Sequence, residues 1–393
     1  MKQISRRTLA LLLTAAMLCS LLVVPAAADE GADADVPVEE TTAATVKGGD
    51  TISTGGVYQI EKDTTGTITI NTTDPVTLTG GYALDETLEE TEDSYKFGSL
   101  TIDSSGLTGG GAHIELENVG ITGPAGNSIL DFAGSGNTLT ITGTNLLEYQ
   151  PSYGTDGAAV HVGTGTELLI NGSGTLYLYK SASGAGIGGK PSEMNGEVTF
   201  GDEDSSDLHI FAKGTKQSAL IGAGANASST SEAPGSITFE NGVYNLETNS
   251  RGAAIGGSAG AGGGSTGTTV YVNNACVNIN VDYSGSAVGG GGYEGGNDAS
   301  GGTIYISGGS LRTYVDQNAA SSTTGYGGVA LTAGINDAAI TARRLNDETD
   351  QKAVYKCVFD TSLLETSASD FTVQVDGADF YTGGLHELSL IHI

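Results

Sequence analysis

The chain has 393 residues, 62 of them glycine, with 7 prolines, 3 cysteines and no tryptophan, and its formal charge is −30 from 46 acidic against 16 basic residues. So acidic a balance opposes binding to nucleic acid or to an anionic membrane surface. The low proline count excludes collagen, and so few cysteines cannot build a disulfide framework, which leaves packing as the source of stability.

Residues 1–28 read as a secretory signal peptide. Lys2, Arg6 and Arg7 form a basic start, Leu9 to Val24 is apolar, and Ala26-Ala27-Ala28 is a small-residue cleavage site before Asp29. The expected location is therefore secreted or extracellular, and no later apolar run is long enough to span a membrane. Residues 29–47 are acidic and free of aromatics, the composition of a disordered linker. From 48 onward, "GGVYQIEKDTTGTITINTTDPVTLTGG", "GSLTIDSSGLTGGGAHIELENVGITG" and "NTLTITGTNLLEY" are short alternating runs between Gly, Asn and Asp turns. They read as irregular first coils of a β structure, with 85–94, "DETLEETEDS", as an acidic inserted loop.

The stretch "SGAGIGGKP", 183–191, matches a dinucleotide fingerprint and most of a phosphate loop. Such a loop occurs once, between a strand and a helix. Here the pattern recurs around Ile187, Ile221, Ile255 and Val288, with looser copies at Val160 and Val329, and no helical periodicity follows any copy. Between the glycine tracts each unit carries two runs of period two, which predicts strands with one buried face. The inward rows read Leu168, Val198, Ile237, Val270, Ile304 and Ile170, Phe200, Phe239, Val272, Ile306. The second strands give Leu176, Leu208, Tyr244, Val277, Leu311, then Leu178, Ile210, Leu246, Ile279, Thr313. Like residues at like positions every 33 or 34 residues predict a solenoid, and the handedness of parallel connections makes it an all-β, right-handed parallel β-helix over 48–335.

The repeat breaks near 335. Residues 336–387 are glycine-poorer and read as part of a small C-terminal β domain. Leu388 to Ile393 resembles the translated end of a sequencing-library adapter, which predicts a non-native tail on a gene cut short.

The strand-strand-"GAAIGG" units and coils such as "IELENVGI" (114–121) resemble a family of bacterial secreted, glycine-rich β-helix proteins identified as carbohydrate-binding domain proteins. The resemblance covers about 50–387 and implies surface display, a polysaccharide partner including acidic sugars, and calcium in the loops. It carries no binding residue across, so the candidates come from the residues themselves. Outward rows read Tyr177, His209, Asn245, Asn278, Arg312 and Tyr179, Phe211, Glu247, Asn280, Tyr314. Tyr177, Tyr179, Phe211 and Tyr314 are candidate sugar-stacking groups, and His209 and Arg312 candidate polar readers. "GDEDSSD" offers Asp202, Asp204 and Asp207 as oxygen ligands for calcium. No constellation for catalysis stands out. Three readings remain open: a non-catalytic polysaccharide-binding or adhesive module, a passive stalk of a larger surface protein, and a polysaccharide lyase or hydrolase.

Overall fold

The computed structural model describes residues 43–85, 88–149, 157–180, 183–227, 232–260, 267–282, 286–291, 303–306 and 309–315, and short strands at 353–355, 371–375 and 378–383. The signal peptide, the linker as far as 42, the loose copy at Val329 and the tail 388–393 lie outside the described residues. The described elements are strands, and all but the last two belong to three long sheets. The first has ten strands, from Ala44–Val46 to Thr303–Ile306. The second has nine, from Lys96–Gly98 to Ala353–Tyr355, and the third has nine, from Thr51–Ile52 to Val288–Gly289. Hydrogen-bonded neighbours are one coil apart in sequence and run parallel throughout the first and third sheets. This is a right-handed parallel β-helix.

Two boundaries differ from the sequence reading. Among the described residues the helix reaches back to Ala44–Val46, inside the stretch read as linker, and Val46 turns inward and is buried against the first coils. At the other end, Ala353–Tyr355 adds to the second sheet antiparallel to Ser310–Val315, and Phe371–Val375 pairs with Ala378–Gly383 as a separate antiparallel hairpin.

The inward rows stack as apolar ladders. Leu168, Val198, Ile237, Val270 and Ile304 are successive register partners in the first sheet. In the third sheet Ile68, Ile102, Leu130, Val160, Ile187, Ile221, Ile255 and Val288 form one continuous column. At full burial each such side chain contributes about 1.5–3 kcal/mol. The interior turns aromatic where the coils allow it. Phe200 and Phe239 stack with ring centroids 4.9 Å apart, and Tyr244 meets both edge-on at 5.5 and 4.8 Å. The Tyr244 hydroxyl donates to the Asn241 carbonyl, so the one polar atom of the triad is satisfied.

Corners use two devices. In the last four coils the third-sheet Ile or Val is followed by a glycine at positive φ, 136° at Gly188, 137° at Gly222, 125° at Gly256 and 145° at Gly289. A Cβ on Gly222 would lie 2.1 Å from the Gly256 carbonyl oxygen, so the coils approach only because the position is glycine. Elsewhere a buried asparagine staples successive coils. Asn137 accepts from the Ala112 amide at 3.0 Å and donates to the Glu167 carbonyl at 3.0 Å, and Asn145 accepts from Val119 at 2.8 Å.

The second sheet corrects one alignment. Leu176 pairs with Ile210 and Leu178 with Ala212, two residues beyond the expected partners. The turn after Phe200 runs from 201 to 208, whereas after Phe239 only 240–242 intervene. Leu208 is buried in that longer turn, which made it pass for a strand position. A shift of two keeps every side chain on its face. The outward rows therefore become Tyr177, Phe211, Asn245, Asn278 and Tyr179, Lys213, Glu247, Asn280, with Arg312 and Tyr314 the next register positions, and His209 beside Thr175 and Val243 in a third row.

Candidate functional site

The inserted segment decides which part of the second sheet stays open. It folds back on itself through bridges between Gly81 and Tyr95 and between Leu84 and Glu90. Tyr82 lies on Gly120, where a Cβ would come within 2.7 Å of its ring. Lys96 binds Glu90 at 2.7 Å and Glu148 at 3.6 Å, and the Tyr95 ring meets Phe97 edge-on at 5.1 Å. The insert thus covers the outward side of the early coils and stops at Leu88, beside Tyr177 and Tyr179.

Beyond that edge lies an open groove of about 740 Å³, lined by Leu88, Tyr177, Tyr179, Phe211, Lys213 and Glu247 together with the amides Asn245, Asn278 and Asn280. A second cavity of about 390 Å³ adjoins it under the insert, lined by Tyr82, Leu84, Glu89, Glu90, Lys96 and Glu148, and shares Leu88, Tyr177 and Tyr179 with it. Asn278 donates an amide hydrogen to the Asn245 oxygen at 3.1 Å, which uses one donor of the first and one lone pair of the second. Lys213 and Glu247 form an exposed ion pair at 2.5 Å. Burial, followed by the charges of Glu90 and other neighbours, pushes the Tyr82 phenol up to about 12. Burial also raises those of Tyr177 and Tyr179, so all three stay neutral hydrogen-bond donors at ordinary pH.

Of the expected stacking groups, Tyr177, Tyr179 and Phe211 come together here. Tyr177 and Phe211 stack on each other, with centroids 5.2 Å apart and planes 13° from parallel. Their facing surfaces are spent on one another, so a ligand meets only the outer faces of the pair and the exposed ring of Tyr179. His209 touches Phe211 edge-on at 6.4 Å and lines neither cavity. Arg312 and Tyr314 sit in register beside Asn278 and Asn280, and their side chains lie outside the described residues.

The acidic turn is closed on itself. One Asp202 oxygen accepts from the Ser205 hydroxyl at 2.5 Å and the Asp204 amide at 3.2 Å, and the other accepts from Asn171 at 2.7 Å. The Ser205 bond is the main reason that the Asp202 carboxyl sits below its usual range. Asp204 and Asp207 point into solvent, and among the described residues no three His, Cys, Asp or Glu side chains gather to hold a metal ion.

Sequence reasoning missed a charged clasp on the third sheet. Asp131 and His161 are register partners, and the His161 Nδ1 lies 2.6 Å from Asp131. Its Nε2 lies 2.9 Å from Glu193, while Lys190, from the tract that mimics a nucleotide loop, reaches Asp131 at 2.7 Å. Burial disfavours a charged His161, yet the bonds to Asp131 and Glu193 outweigh it and hold its pKa above the ordinary value. Burial likewise opposes the charge on both carboxyls, and the His161 bond prevails in lowering each. The spacing of 30 and 32 residues, close to the coil period, was the available signal.

Comparison with known proteins found no family model, curated protein or solved structure that matches the chain.

Proposed function

We propose that the protein is a secreted or surface-displayed module that binds a glycan chain in the groove bordered by Leu88, Tyr177 and Tyr179. The observation that carries this reading is the lining itself. Apolar ring surface sits beside a run of asparagine amides, the pairing that suits the apolar face and the hydroxyls of a sugar, in a cavity of ordinary ligand-site size. A glycan array probed with the chain, its Tyr177→Ala and Tyr179→Ala variants, and the chain in chelator tests it. Binding to at least one glycan, weakened by both substitutions, is expected. Loss in chelator would add the calcium expected of the loops, and binding indifferent to both substitutions would remove this groove from consideration.

A second reading has its own observation. The Tyr177–Phe211 stack and the Tyr271–Tyr305 stack at 5.1 Å on the first sheet are cross-strand packing that needs no ligand. A chain that binds no glycan on the array is then a passive stalk.

A further inference from the structure

Among the described residues three large apolar side chains are exposed, Val57, Leu88 and Tyr179, and two of them line the groove. Leu88 is 64 % exposed and Tyr179 42 %. Leu88 also has φ of 65°, a left-handed conformation that a branched side chain seldom adopts. Neither burial nor backbone preference accounts for a leucine there. It sits in a short turn closed by the Asp85 amide bonding to the Glu89 carbonyl at 2.8 Å, so the insert presents it on a braced support.

The charges around it restrict what the groove can take. The lining of the two cavities contains four carboxylates, Glu89, Glu90, Glu148 and Glu247, and two ammonium groups, Lys96 and Lys213. Lys96 is paired with Glu90 and Glu148, and Lys213 with Glu247. Neither cation is left to receive an incoming anion, and an anion placed beside these carboxylates meets repulsion that the amides do not offset.

We infer that the groove takes an uncharged oligosaccharide, gripped between Leu88 of the insert and the Tyr177 and Tyr179 rings, with its hydroxyls turned to Asn245, Asn278 and Asn280. The insert is the second wall of the site, and acidic sugars are disfavoured by it. This rests on the glycan reading above, so the test must separate the two. The full chain is titrated calorimetrically with glucan, xylan and mannan hexasaccharides and with hexagalacturonate at low salt. A neutral sugar is expected to bind, and Leu88→Ala, exposed and remote from the core, to weaken it by about fivefold or more. Glu89→Gln/Glu148→Gln should improve hexagalacturonate binding relative to the unmodified chain. Hexagalacturonate binding more tightly than every neutral sugar would overturn the uncharged class and leave the glycan reading standing. A neutral sugar that loses affinity with Tyr179→Ala and keeps it with Leu88→Ala would overturn the second wall alone. No binding to any of the four would remove the glycan reading itself.

Discussion

At the residue scale, space and charge set separate limits. Gly222→Ala puts a Cβ 2.1 Å from the next coil's carbonyl at a φ that alanine avoids, and should cost about 2 kcal/mol or more, read as a lower midpoint in denaturant. Gly106→Ala is the control. Its Cβ would meet nothing within 4 Å, and the change should stay within about 0.5 kcal/mol. The clasp makes a prediction in pH. His161 is held above its ordinary 6.5, so its contribution is complete below 6.5 and fades as pH rises through the raised value. Asp131 and Glu193 are held below their ordinary 3.8 and 4.5, so theirs is complete above those values and fades as pH falls through the lowered ones. The stability difference between the unmodified chain and His161→Gln should therefore be greatest between pH 4.5 and 6.5 and shrink on either side. Urea titrations across pH measure it, and a difference that is flat from acid to alkaline pH would refute the assignment.

At the element scale the strands depend on ladders. Phe239→Ala opens a void under Phe200 and Tyr244 and should cost about 3–5 kcal/mol, whereas Tyr244→Phe keeps the packing, frees the Asn241 carbonyl and should cost about 1 kcal/mol in the same denaturation measurement. The ladders were legible in the sequence, because Leu168, Val198, Ile237 and Val270 repeat at one period and alternate cleanly with outward residues. The His209 row slipped because turn length is not written in alternation, and a buried Leu208 in a long turn looks like a strand residue. The groove was half legible. Tyr177, Tyr179 and Phe211 carry it, but the insert reaches it only through tertiary contacts such as Tyr82 on Gly120, which no local pattern records. Asn137 and Asn145 escaped for the same reason, since an asparagine in a strand run looks like a turn residue until its partners one coil away are known.

At the scale of the whole molecule a solenoid has mostly nearest-neighbour contacts, so damage should spread only a short way. Ile255→Asp places a charge in the third-sheet column between Ile221 and Val288. It should cost about 4 kcal/mol or more, and hydrogen exchange should rise across the neighbouring coils while strands His113–Glu117 and Asn137–Thr142 stay protected. Uniform loss of protection along the chain would show a single cooperative block instead. The glycine column carries one more consequence. Because Ile187-Gly188, Ile221-Gly222 and Ile255-Gly256 present the same surface upward and downward, the joint between any two of these coils is interchangeable with the next. Excising 221–254 would set Ile187 on Ile255 and Gly188 on Gly256 and bring Val198 onto Val270, at the expense of the ring partners of Phe200. The number of coils in such a solenoid is thus free to change through duplication or loss within a gene, while the cross-section of each coil stays fixed.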